Sequence, residues 1–318
     1  MITTAKQPAL PSNPLARIRM LWGNYWFLPL IPSVYSLAVW LTGNELRIEH
    51  YFFVVSCIGL GYGTRGSKAL LLDLYPYVAT GLGWDLVRYL RPLFVLPGRV
   101  LSCELRNLDA LFYFSNGRTI GETFAARATP VLDLICAVPY TIFVYLVLLY
   151  AGYLFFRDRP LLRVYLWAFA IANYISFVCW LLLPAAPPWY VHAHGCAVDL
   201  STLPNPAGLG RIDELLQIHY YRDFYARAAT PFGAMPSMHC AYPIIGLVSA
   251  WRSASTPARL LHLGYTALMA FAAMYLDHHW LVDVIAGWAT GVAGVFLARW
   301  WLNRRQSTAV ATVAELKS

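Results

Sequence analysis

Two short runs near the C-terminal end hold residue types that can transfer a phosphoryl group. One is Ala234-Met235-Pro236-Ser237-Met238-His239, the other Asp277-His278-His279-Trp280-Leu281-Val282-Asp283. On a helix, His279 and Asp283 stand four residues apart, about 40° from one another on a single face. Asp283 can then accept the proton of one His279 ring nitrogen and leave the other as a nucleophile or base. His278, five residues from the same carboxylate, points away from it. His239 follows a Pro-Ser turn at the mouth of a second apolar stretch. Two imidazoles, one oriented by an acid, suit transfer through a phosphohistidine: one attacks phosphorus and the other protonates the leaving oxygen. A metal site is the rival chemistry, because two histidines and an aspartate are plausible ligands. Plainer readings exist for both runs. His279 and Asp283 can form a helix-end ion pair among lipid head groups, and Ser237 can be a helix N-cap. Ionisable groups at membrane depth nevertheless point to function. A helix start at Ser237 would also present free N–H groups and a positive dipole to a phosphate, with Gly233 letting the backbone come close.

The elements that must position these residues are membrane spans. The 318 residues are 59% hydrophobic and only 13% charged, with mean hydropathy +0.51. A soluble globule carries roughly 25% charged residues, so this composition describes a polytopic membrane protein. The net charge of +8 is scattered over short loops between apolar runs. That pattern fits lipid head groups and gives no support to a nucleic-acid surface. Six cysteines show no CxxC spacing, so no metal or redox motif follows. Cys103 and Cys196 fall in loops assigned to one side, which makes a disulfide possible. Residues 1–24 form a polar tail without a signal peptide, and the first span is expected to act as an uncleaved anchor.

Eight spans are expected, at 25–41, 51–62, 69–87, 131–156, 161–183, 238–251, 260–276 and 281–301. The third contains Asp73 and Pro76 and reads equally as re-entrant. Residues 100–114 have the pattern of an amphipathic helix lying in the interface. The organisation is therefore a tail (1–24), N-terminal spans with the interfacial segment (25–130), a catalytic core with an outer loop at 184–236 (131–302) and a disordered tail (303–318). His192, His194 and His219 are expected to be solvated loop residues. The positive-inside rule puts the outer loop, His239, His279 and Asp283 together on the extracytoplasmic side. Segment 88–130 falls outside too, yet it carries Arg88, Arg91, Arg99, Arg106, Arg118 and Arg127. Either the third span is re-entrant or some of these arginines hold lipid phosphates.

The two runs resemble the Pro-Ser-x-His and His-x-x-x-Asp motifs of the type 2 phosphatidic acid phosphatase superfamily. Upstream, Pro184-Ala185-Ala186-Pro187-Pro188-Trp189-Tyr190, Gly208-Leu209-Gly210-Arg211-Ile212-Asp213 and Phe232-Gly233-Ala234 resemble, in that order, its inositol phosphorylceramide synthase branch. The resemblance implies an all-α membrane bundle: a six-helix core within about eight transmembrane helices, plus an interfacial helix. It implies no metal and no cofactor. His279 would be the nucleophile, His239 the acid and base, and Asp283 the group that orients His279. The partners would be a phospholipid donor and a lipid alcohol acceptor. The superfamily's phosphate-holding first motif is only partly present. Arg91-Pro92 matches its end, but Trp84 replaces the lysine, and Ala273 stands where an arginine precedes the motif histidine. Arg211 is the candidate substitute, or else a loop arginine paired with Asp213. Trp189 and Tyr190 line a lipid entrance or anchor the interface. Three functions compete: a head-group phosphotransferase, a lipid phosphate phosphatase using the same histidines with water, and a non-catalytic lipid-binding protein or transporter. Transporters tend to carry internal repeats, and none is found.

Overall fold

Prolines and capping side chains decide where the helices start. The computed structural model describes residues 9–112, 117–228 and 230–315, with side chains to 305. Helix α1 (Pro14–Trp22) begins behind Asn13, whose side chain accepts the Leu15 and Ala16 N–H groups. It is followed by α2 (Ile31–Leu41), α3 (Ile48–Tyr62) and α4 (Arg65–Phe94). The chain divides into two compact units inside α4, after Leu82. The first unit has its own small core of Leu21, Trp22, Phe53, Cys57, Leu71 and Val78. There the Trp22 indole donates to the Gly61 carbonyl at 2.7 Å.

The second unit begins with the end of α4 and two short helices, α5 (Cys103–Ala110) and α6 (Ile120–Ala125). Then come the long α7 (Pro130–Arg157) and α8 (Arg159–Leu182), started by Thr129 and Asp158 as N-caps with proline in the first turn. Three short helices follow: α9 (Pro188–His194), α10 (Gly210–Leu216) and α11 (Tyr220–Tyr225). The unit closes with α12 (Met238–Ala250), α13 (Thr256–Tyr275) and α14 (Leu281–Glu315). α14 packs on α8 and α12, α12 on α13, and α13 on α7. Tyr140, Met269, Ala272, Tyr275, Leu276 and Val284 are buried where these helices meet.

Among the described residues there is no strand, only isolated bridges that join Leu101, Ala185 and Gly233. The Ala185 N–H donates to Phe232 and the Ala186 N–H to Leu101, at 2.9 and 2.8 Å. A Cys103–Cys196 disulfide fastens α5 to the same region.

Among the described residues, three helices, α7, α8 and α14 as far as Arg305, are long and apolar enough to cross a membrane. Several expected boundaries move. The third stretch does not break at Pro76 or stop at Val87: α4 continues for 30 residues to Phe94. Proline removes one hydrogen bond at a time, and the Thr80 hydroxyl binds the Pro76 carbonyl at 2.8 Å. The first span is shorter than expected, because Leu28–Leu30 forms a 3-10 turn before α2. The interfacial helix is only the eight residues of α5, and the end of the expected stretch, at 113–114, lies outside the described residues. The tail expected to be disordered continues α14 to Glu315.

Backbones approach closely where α14 passes the entry to α12. A Cβ on Gly287 would collide with the Ser237 carbonyl oxygen. Gly287→Ala must therefore push the Ser237 segment and α14 apart. We expect it to cost about 1–3 kcal/mol of stability, read as a lower melting temperature in detergent, and to reduce activity with it. A variant that melts and turns over like the wild type would contradict the packing.

Candidate active site

Helix starts bring the two runs together. Ser237 N-caps α12, its hydroxyl accepting the Cys240 N–H at 3.4 Å, and its own N–H donates to the Asp283 carbonyl at 3.0 Å. His239 thus lies in the first turn of α12, beside the beginning of α14. Its Nδ1 is 3.3 Å from Nε2 of His279. On the other side of that ring, His279 Nδ1 faces Asp283 Oδ2 at 3.6 Å, an ion-pair distance slightly longer than a hydrogen bond. Asp283 is fully buried and His279 nearly so. The same Asp283 oxygen accepts the Trp280 N–H at 2.9 Å, so one carboxylate starts the helix and faces the histidine. This changes one expectation: His279 stands in the turn before α14, not on its helical face.

Aromatic rings fix the other faces. Tyr140 of α7 stacks on His239 with centroids 3.9 Å apart, and Phe143 lies at 4.3 Å. Tyr140 also stacks on His278 at 5.1 Å, and His278 on Tyr225 at 4.9 Å. His278 Nε2 donates to the Pro206 carbonyl at 3.0 Å. Burial, with a smaller contribution from His279, pushes the His278 imidazole down to about 3, so it is neutral. It serves as a packed wall, turned away from Asp283 as its spacing suggests.

The turn that joins α13 to α14 is a Schellman closure. His278 N–H donates to Ala273 O and Asp277 N–H to Met274 O. Asp277 takes the left-handed position at φ +65°. The Trp189 N–H donates to the Asp277 carbonyl at 3.1 Å.

Comparison with known proteins places the chain in a family. Residues 104–297 match the PAP2 superfamily, more than half of the chain. The chain belongs to the PAP2 superfamily. It is 29% identical over 263 residues to the phosphoinositol dihydroceramide synthase of Bacteroides thetaiotaomicron, covering 78% of this chain and 83% of that one. It is 33% identical over 190 residues to the inositol phosphorylceramide synthase of Candida albicans, covering 58% of this chain and 40% of that one. Inositolphosphotransferase 1 of Saccharomyces cerevisiae is 25% identical over 250 residues, with 70% and 44% covered. The chain thus spans less than half of these two fungal relatives. No solved structure matches it.

Within this PAP2 chain the remaining expected residues do varied work. Arg211 pairs not with Asp213 but with Asp133 of α7, through Nε at 3.0 Å and Nη2 at 2.6 Å. The Tyr275 hydroxyl donates to the same carboxylate at 2.8 Å. Asp213 instead accepts the Tyr221 and Arg222 N–H groups and starts α11. Arg91 donates to the Leu200 carbonyl at 2.9 Å. Tyr190 is fully buried, its hydroxyl donating to Ala197 O and accepting the Asp199 N–H. Trp189 is buried in the same cluster with Phe232 and Trp280. Gly233 has room for a side chain, since a Cβ there would rest 3.6 Å from the Trp180 ring.

Two contributors escaped the sequence reading. Asp109 of α5, almost completely buried, accepts the Val282 N–H at 3.1 Å and so caps α14 from outside. Burial lifts its carboxyl to about 6, against the pull of the N–H groups of Val282 and Leu281. His192 is not a free solvated residue: it bridges Asp277 and Glu122. The signal available for Glu122 was the Thr119-x-x-Glu122 capping box that starts α6.

Proposed function

We propose that this chain is an integral-membrane lipid phosphotransferase, moving a phosphoinositol-like head group from a glycerophospholipid to a lipid alcohol such as ceramide. The observation that carries the reading is the direct His239–His279 contact with Asp283 behind it. The names of the synthase relatives supply the head group and acceptor class.

His279 Nε2 attacks phosphorus and forms the N–P bond as the bond to the diacylglycerol oxygen breaks. His239 gives that oxygen its proton. In the second half, His239 takes the proton of the acceptor hydroxyl, whose oxygen displaces His279 from phosphorus. Asp283 keeps the proton of His279 on Nδ1 and stabilises the ring when it becomes cationic. Holding donor, nucleophile and acceptor in one cavity supplies much of the rate. No step needs a metal or cofactor. Ser237 and Gly233 at the start of α12, Arg211, Arg91, Trp189 and Tyr190 are proposed to shape the head-group and lipid side of the site. Arg211 would have to share its charge with Asp133.

The chain is read as multi-pass, with about eight crossing helices, a core at 131–302 and the site on the extracytoplasmic side. The uninterrupted α4 has the length the third stretch needs, 30 residues reaching about 45 Å, but it is not among the helices apolar enough to cross by composition. The Cys103–Cys196 bond supports the outward site, because disulfides persist in oxidising compartments.

Purified protein supplied with phosphatidylinositol and ceramide should yield inositol phosphorylceramide and diacylglycerol in equal amounts. Free phosphate from a phosphomonoester lipid, with no head-group exchange, would replace the transferase by a phosphatase. No turnover on either lipid would leave a lipid-binding protein.

A further inference from the structure

The turn that carries His278 and His279 is gripped by charges that the phosphotransfer scheme does not use. Asp277 occupies the left-handed position that closes α13. Glycine is the ordinary residue there; aspartate tolerates the conformation better than most side chains but less well than glycine, and its carboxylate has a partner. Asp277 Oδ2 lies 3.0 Å from Nδ1 of His192 in α9, and His192 Nε2 lies 3.3 Å from Oε1 of Glu122 in α6. Glu122 is held in turn by Arg106 of α5 at 2.8 Å and by the Thr119 N–H at 3.0 Å. Carboxylates only accept, so both His192 contacts are hydrogen bonds only when the ring carries two protons.

We propose that His192, as an imidazolium, is a positioning residue that clamps Asp277 to Glu122 and thereby holds the turn carrying His279 against His239. The effect on rate rests on the phosphotransfer reading above; the effect on the turn does not.

The groups facing His192 are Asp277 from the turn, Glu122 from α6 and the uncharged Trp280 ring, edge-on at 6.0 Å. Arg106 acts through Glu122. The hydrogen bond that His192 donates to Asp277 is the largest influence and raises His192 above its ordinary value, with burial opposing and Glu122 adding to the rise. The sign follows from the raised value. The clamp is complete below the ordinary histidine value of about 6.5 and is lost as pH climbs through the raised one. With a third of the His192 side chain exposed, solvent protons reach it.

The discriminating variant is Asp277→Gly, which relieves the left-handed strain while removing the clamp. It should melt no lower than the wild type in detergent, yet show kcat reduced about tenfold or more, with donor KM nearly unchanged. His192→Gln should lower kcat in the same way and flatten the alkaline limb of the pH–rate profile. His192→Lys, charged across that range, should restore most of the rate without the limb. Amide exchange over residues 275–284 gives a readout independent of turnover. Protection there should drop in His192→Gln and in Glu122→Gln, the second serving if the first does not fold. Wild-type kcat in Asp277→Gly, or unchanged protection in both other variants, overturns the clamp. If the wild-type protein transfers no head group, lost protection still supports the clamp, and only the phosphotransfer reading fails.

Discussion

His279→Ala is expected to abolish head-group transfer, lowering kcat on the order of 10⁴-fold or more. The ring supplies the attacking nitrogen, and no neighbour can replace it: His239 meets it through Nδ1, and His278 is tied to Pro206 and stacked between two tyrosines. The variant should still fold, because α14 is started by Asp283 and Asp109 rather than by the imidazole. Wild-type protein quenched during turnover on inositol-labelled donor should carry an acid-labile phosphoinositol group on His279, and the variant none. Turnover within tenfold of wild type would end the covalent scheme.

Asp283→Asn should be nearly as damaging, with kcat reduced by roughly 10³–10⁴-fold and KM little changed. The amide oxygen can still accept the Trp280 N–H, so melting should shift by no more than about 1 kcal/mol. What is lost is the negative charge: the same oxygen faces His279 Nδ1, so the ring keeps a neutral acceptor there but has no counter-charge when it becomes cationic. Asp283→Ala would remove the helix cap as well, a further cost of about 1 kcal/mol. An Asn variant with wild-type kcat would show that Asp283 is only a cap.

The catalytic candidates were legible because their relations are local. His279 and Asp283 are four residues apart, and Ser237 announces the start of α12 two residues before His239. The long apolar helices were legible for a similar reason, since hydropathy over twenty residues is a property of the chain itself. Partner choice was not. Arg211 meets Asp133 across 78 residues, His192 meets Asp277 across 85, and Asp109 meets Val282 across 173. Each depends on how helices dock, which no local spacing encodes. The segment around α5 and α6 looked like a basic loop in the wrong place. Folded, its acids Asp109 and Glu122 reach the start of α14 and the turn before it. The end of α4 was hidden by Asp85, Arg88 and Arg91, which look like a loop when counted but fit within a helix.

The 3.3 Å contact between the two imidazole nitrogens bears on selectivity against small anions. A resting centre bonded to itself leaves no space for phosphorus and its oxygens, so any ligand must first wedge the rings apart. Inorganic phosphate or vanadate brings only its own oxygens to that task. A phospholipid brings acyl chains and a head group whose binding can be spent on the separation. The enzyme should therefore ignore the small oxyanions around it and open for a molecule anchored in the bilayer.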